Sequence, residues 1–143
     1  TIVRPSAIYG GRCVSRRVSQ IFIENALQGK EIIINGNGSE KLDFTYIDDL
    51  IQGVQKIIKT KKSHNETFNI TFGRGRKIID LIKLLKINFP KLKINFKPWD
   101  RLTPKRGGLS IEKAKKLLNY KPSFEIESGY KKYINWYKEF HSK

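Results

Sequence analysis

Apolar positions along this chain recur with two spacings that alternate, every second residue and every third or fourth, which predicts strands and helices in turn. A strand over residues 1–5 gives way to a loop and then to a helix near 15–28, with Val18, Ile21, Phe22, Ala26 and Leu27 inward and Gly29 at its stop. Ile32, Ile33 and Ile34 form a short strand closed by Asn35-Gly36-Asn37-Gly38, residue types that tolerate positive φ. Residues 67–72 read as another strand, 78–87 as a helix stopped by Pro90, 93–97 as an edge strand and 98–106 as a loop. Ser110 caps a helix whose inner side carries Ile111, Ala114, Leu117 and Leu118, and a last helix uses Ile126, Tyr130, Tyr133, Ile134 and Tyr137. No internal repeat, low-complexity linker or clean domain boundary interrupts this order.

The two periods meet within eight residues at Asp43-Phe44-Thr45-Tyr46-Ile47-Asp48-Asp49-Leu50. Phe44, Tyr46 and Leu42 share one face of a predicted strand, Asp48 suits an N-cap, and Leu50, Ile51, Val54, Ile57 and Ile58 follow at helical spacing. Adjacent aspartates also have the composition of an acid/base pair or a metal site. Their place in a helix first turn, where the dipole favours negative charge, favours the structural reading.

Composition changes this picture little. A chain of 143 residues with 38% hydrophobic content has enough apolar side chains for a real core. No run of eighteen apolar residues suggests a membrane span, and Arg4 and Pro5 interrupt any signal-peptide core, so a cytoplasmic location without membrane association is the expectation. The lone Cys13 has no partner for an internal disulfide and reads as an inert small side chain. His64 and His141 stand far apart in polar surroundings, which gives no support to a metal site or a serine triad.

A net charge of +16 and a pI near 10.0 raise nucleic acid as a partner, and a non-catalytic basic binding module for RNA or DNA is the alternative reading of the chain. Placement argues against it. Lys56, Lys59, Lys83, Lys86, Lys113, Lys115 and Lys116 mostly fall on the polar faces of predicted helices, and no RNA-binding aromatic signature, zinc-finger spacing or basic zipper is present.

Several segments, in order, carry a resemblance. Thr1-Ile2-Val3-Arg4-Pro5-Ser6-Ala7-Ile8-Tyr9-Gly10-Gly11-Arg12 resembles the strand and loop after the catalytic Tyr-x-x-x-Lys helix of the extended short-chain dehydrogenase/reductases, the NAD-dependent nucleotide-sugar epimerase/dehydratase family. Gly36-Asn37-Gly38-Ser39, the DFTYIDDL segment, Phe68-Asn69-Ile70, Arg106-Gly107-Gly108-Leu109-Ser110 and Ile134-Asn135-Trp136-Tyr137 follow in that family's order.

The resemblance implies an α/β fold, the carboxy-terminal part of a Rossmann-type enzyme with its small substrate-binding lobe. Residues 1–143 would form one unit holding the last Rossmann strands, with the amino-terminal NAD-binding part absent. Neither the glycine-rich NAD turn nor a Tyr-x-x-x-Lys pair occurs, and the chain has no methionine, so no catalytic residue is assigned here and the chain alone is expected to be inactive. Gly73-Arg74-Gly75 has no third glycine at position 78, which is Ile, and reads as a plain turn. NAD is the cofactor and a nucleotide-sugar the substrate implied for the full-length enzyme, with the absent amino-terminal part as partner and a homodimer allowed.

By the same resemblance Pro5, Ala7 and Ile8 match the loop beside the nicotinamide. Arg17 and Arg101 stand where a diphosphate is held, a task suited to a planar guanidinium. Each serves equally as an ordinary surface arginine. Ile33 and Asn35 lie on the strand that packs against the nucleotide base, although three isoleucines also suit a core. Relatives commonly have arginine directly before Asp-Phe. Leu42 stands there, and Lys41, pointing to the opposite face, is no substitute.

Overall fold

The computed structural model describes residues 1–99 and 104–141. Strand β1 (Ile2–Arg4) lies parallel to β6 (Thr67–Asn69), with Val3 opposite Phe68. Strand β2 (Ile8–Tyr9) is parallel to β5 (Thr45–Tyr46), and β3 (Ile32–Asn35) to β8 (Ile94–Lys97), while β4 (Lys41–Leu42) is antiparallel to β7 (Arg76–Lys77). The helices are α1 (Val18–Leu27), α2 (Ile47–Lys59), α3 (Ile78–Asn88), α4 (Glu112–Leu118) and α5 (Ile126–His141). Each parallel pair is joined through at least one intervening helix, as parallel strands require, and the architecture is mixed α/β.

Two apolar clusters hold these elements. In the larger, α1, α3 and α5 pack around Tyr9, Ile23, Leu81, Tyr130 and Tyr133, all fully buried. The smaller gathers Phe68, Ile70, Ile111, Leu118 and Tyr120 between α2, α4 and β6. Outside both, Ile51 and Ile58 remain exposed on one face of α2, seven residues apart, and Ile2 is exposed on β1.

Three local expectations are corrected. The DFTY strand is not continuous, because β4 stops at Leu42 and β5 starts at Thr45 with a different partner. Between them Asp43 is fully buried, and its carboxylate accepts the Gly73 N–H at 3.1 Å and the Leu109 N–H at 3.0 Å. A buried carboxylate must collect such donors, and the ladder gives way around it. The N-cap of α2 is Tyr46, not Asp48, which sits exposed in the first turn 3.6 Å from Lys132 Nζ. Its neighbour Asp49 is buried and accepts the N–H groups of Ser123 at 2.8 Å and Phe124 at 3.0 Å, fastening α2 to the approach to α5. Finally, α1 starts at Val18 rather than near residue 15, since Arg16 at φ +44° lies outside the right-handed helical region; Ile23 is buried deeper than Ile21.

Candidate functional site

The loop leaving β1, the approach to α1 and the outer face of β3 enclose a cleft of about 970 Å³. Pro5 and Ala7 line it from the loop, Ile8 from the start of β2, Arg17 from the position just before α1, and Ile33 and Asn35 from β3. The six described residues selected from the sequence therefore share one space. Arg101 lies outside the described residues, and so does the side chain of His141. Strand alternation accounts for β3: Ile32 and Ile34 are buried, whereas Ile33 is 47% exposed and Asn35 is turned outward with it. Ile33 is not core.

The cleft is electropositive. Among the described residues, Arg12, Arg16, Arg17 and Arg106 line it against a single carboxylate, Glu40. Arg16 is partly neutralised by Glu24, at 3.7 Å, and Glu24 also accepts hydrogen bonds from Gln20 at 2.8 Å and the Tyr137 hydroxyl at 3.0 Å. Among the described residues, Arg12, Arg17 and Arg106 have no carboxylate within ion-pair distance. Three residues other than glycine in this wall have positive φ, Ala7 at +36°, Arg12 at +62° and Arg16 at +44°. Such backbone costs of order 1 kcal/mol per residue and collects at ligand sites, where surrounding structure holds it. Leu42 lines the same cleft, while Lys41 lines a neighbouring pocket that shares Glu40 and Arg106 with it.

Arg12 and Arg106 were in view in the sequence, within Gly10-Gly11-Arg12 and Arg106-Gly107-Gly108, but carried no mark of a shared site. Arg12 reaches it through left-handed backbone, which residue types other than glycine do not announce.

The described residues contain no glycine-rich pyrophosphate cradle. A Cβ at Gly73 would come within 2.8 Å of the Ile111 side chain, and one at Gly75 within 2.9 Å of the Gly108 nitrogen, so these glycines serve close packing of two chain segments. The Gly73 N–H is already donated to Asp43. No tyrosine among the described residues lines the cleft. Burial pushes the phenols of Tyr9, Tyr130 and Tyr133 well above their ordinary range, so all three are neutral near pH 7. His64 is exposed, its Nδ1 2.8 Å from the Lys61 carbonyl, and no group of His, Cys, Asp and Glu among the described residues could hold a metal. No helix among them is long and apolar enough to cross a membrane.

Parallel strands carried on crossovers, with a cationic cleft beyond the end of β1, define part of an α/β ligand-binding enzyme fold. Residues 1–71 match the family model of the NAD dependent epimerase/dehydratase family. The chain is 32% identical over 143 residues to UDP-glucuronate 4-epimerase of Thermodesulfobacterium geofontis, an alignment covering 97% of the chain and 43% of that protein. It superimposes on UDP-glucuronic acid 4-epimerase from Bacillus cereus, solved with UDP-glucuronic acid and NAD, at a TM-score of 0.88 and 31% identity, covering 97% of the chain and 45% of that structure. UDP-glucose 4-epimerase from Thermotoga maritima, solved with UDP-glucose, matches at 0.87 and 30%, covering 97% and 46%. The chain belongs to the NAD-dependent epimerase/dehydratase family of extended short-chain dehydrogenase/reductases, and corresponds to the carboxy-terminal part of the full-length enzymes. It spans less than half the length of the curated relatives it matches.

Proposed function

We propose that residues 1–143 supply the substrate-binding lobe and the last Rossmann strands of a cytoplasmic, NAD-dependent nucleotide-sugar epimerase, dehydratase or decarboxylase. The observation that carries this reading is the single cleft shared by Pro5, Ala7, Ile8, Arg17, Ile33 and Asn35. In it Arg17 clamps the diphosphate, Ile33 and Asn35 meet the nucleotide, and Pro5, Ala7 and Ile8 form the wall beside the nicotinamide. When bound, NAD supplies a hydride acceptor for a sugar carbon. This chain's part is to neutralise the diphosphate, orient the sugar and exclude water behind an apolar wall.

The amino-terminal part of the same enzyme is the partner this reading requires. Among the described residues β1 pairs only with β6, and parallel sheets are ordinarily covered on both faces. Ile2, Ile51 and Ile58, exposed by 59%, 47% and 79%, are apolar surface that such a partner would cover.

The test is a turnover assay with NAD and UDP-glucose or UDP-glucuronate. The full-length enzyme is expected to convert at least one nucleotide-sugar, and residues 1–143 alone to convert none and to bind NAD hardly at all. Micromolar NAD affinity of the 143-residue chain would contradict the assignment.

A further inference from the structure

We propose that Trp136 is a positioning residue for the cleft, holding the Gly10-Gly11-Arg12 turn from behind so that the Arg12 guanidinium is presented to the nucleotide-sugar. The inference rests on the nucleotide-sugar reading above and adds a residue that stands outside the cleft lining. Arg12 lines the cleft and Trp136 does not, so the indole acts through the turn rather than by touching the ligand.

The turn follows β2 and carries two glycines, each pressed by another element. A Cβ on Gly10, whose φ is +145°, would come within 2.6 Å of Ile47 Cγ2 at the start of α2. A Cβ on Gly11 would lie 3.0 Å from Trp136 Nε1 and 3.1 Å from both Cδ1 and Cδ2. Near-equal distances to these three atoms of the five-membered ring are met only along its axis, so Gly11 sits over the face of the indole. The turn is thus clasped between α2 and α5, and Arg12 leaves it at φ +62°.

Trp136 is itself fixed by its neighbours on α5. Its ring stacks on Phe140 one turn on, at 5.1 Å and an interplanar angle of 14°, and meets Tyr137 edge to face at 5.1 Å and 86°. Tyr133, fully buried one turn back, stands 6.4 Å away. Arg12, by contrast, is exposed, and among the described residues no carboxylate stands within ion-pair distance of it. Its backbone therefore sets where the side chain starts, and a left-handed residue of this kind persists only where its surroundings hold it. A misplacement of about 1 Å at a binding group can cost up to about a hundredfold.

The experiment is a double-mutant cycle on the full-length enzyme, read by calorimetric titration with UDP-glucose and UDP-glucuronate. Wild type is expected to bind at least one of them, and Arg12→Ala to weaken it by about fivefold or more. Trp136→Ala should weaken the same ligand by about fivefold to fiftyfold, yet by less than about twofold when residue 12 is already alanine. Trp136→Phe, which keeps a ring face behind Gly11, should stay within about threefold of wild type. Gly11→Ala presses on the turn at the same contact and should repeat the pattern of Trp136→Ala, which keeps the cycle decisive should that variant fail to fold. Losses of equal size in both Arg12 backgrounds would overturn the proposal, because the ring would then support the fold as a whole. Arg12→Ala binding as wild type does, or Trp136→Ala and Gly11→Ala both doing so, would overturn it as well. In each of these cases wild type still binds and the nucleotide-sugar reading stands. Wild type binding neither ligand would remove both readings.

Discussion

The polar side chains closed off from water in this chain act by fastening segments rather than by chemistry. Asp43 holds the turn at Gly73 and the loop at Leu109 through backbone N–H groups, at 3.1 Å and 3.0 Å. Its removal breaks both charge-assisted hydrogen bonds, each contributing about 1.5–3 kcal/mol, although Gly73 and Leu109 are themselves exposed. Asp43→Ala is therefore expected to destabilise the full-length enzyme by about 2–5 kcal/mol in chemical denaturation, whereas Asp48→Ala, exposed and 3.6 Å from Lys132, should change it by about 0.5 kcal/mol or less. Equal effects would refute the distinction between the two residues. The sequence marked Asp48 and Asp49 through their place at a helix start and passed over Asp43. Position along a helix is a local property, but the donors that Asp43 collects lie thirty and sixty-six residues away.

The elements follow from their periods where one buried face decides them. α3 occupies Ile78–Asn88 against the expected 78–87, and β3 buries Ile32 and Ile34 while Ile33 points out. The break between β4 and β5 was not legible, because apolar alternation continues across it and only the partners change. Helix α5 shows how packing reverses a propensity rule. In an open helix Gly→Ala gains up to about 1 kcal/mol. At Gly129, however, a Cβ would overlap the hydroxyl of the fully buried Tyr9. Overpacking of this kind costs about 1–3 kcal/mol, so Gly129→Ala should lower the thermal midpoint, while Gly107→Ala, whose Cβ would meet nothing within 4 Å, should not introduce a clash. A Gly129→Ala variant more stable than wild type would show that α5 packs differently.

At the scale of the whole molecule, the order of motifs revealed the family, and the cleft is what that order assembles. Residues separated in sequence by as much as a hundred positions, from Pro5 to Arg106, face one space because the β1–β2 loop, β3 and the segment before α4 are brought together there. Charge was legible only in total. The net +16 suggested nucleic acid as readily as a diphosphate, and the convergence of Arg12, Arg17 and Arg106 on one cleft, with Glu40 as the one carboxylate among the described residues lining it, supports the diphosphate.

We propose that this cleft holds the diphosphate of a nucleotide-sugar. Its most direct test is titration of the full-length enzyme with nucleotide-sugar, comparing Arg17→Ala with Lys61→Ala. Arg17 occupies the N-cap position of α1 without a side-chain cap, so its truncation leaves the helix start intact. Lys61 is exposed in a short 3-10 turn away from the cleft lining. A hydrogen-bonded charge pair contributes on the order of 1.5–3 kcal/mol, which predicts a loss of about tenfold or more in nucleotide-sugar affinity for Arg17→Ala, none for Lys61→Ala, and unchanged NAD affinity in both. Arg17→Ala binding nucleotide-sugar as tightly as Lys61→Ala would show that the diphosphate is held elsewhere.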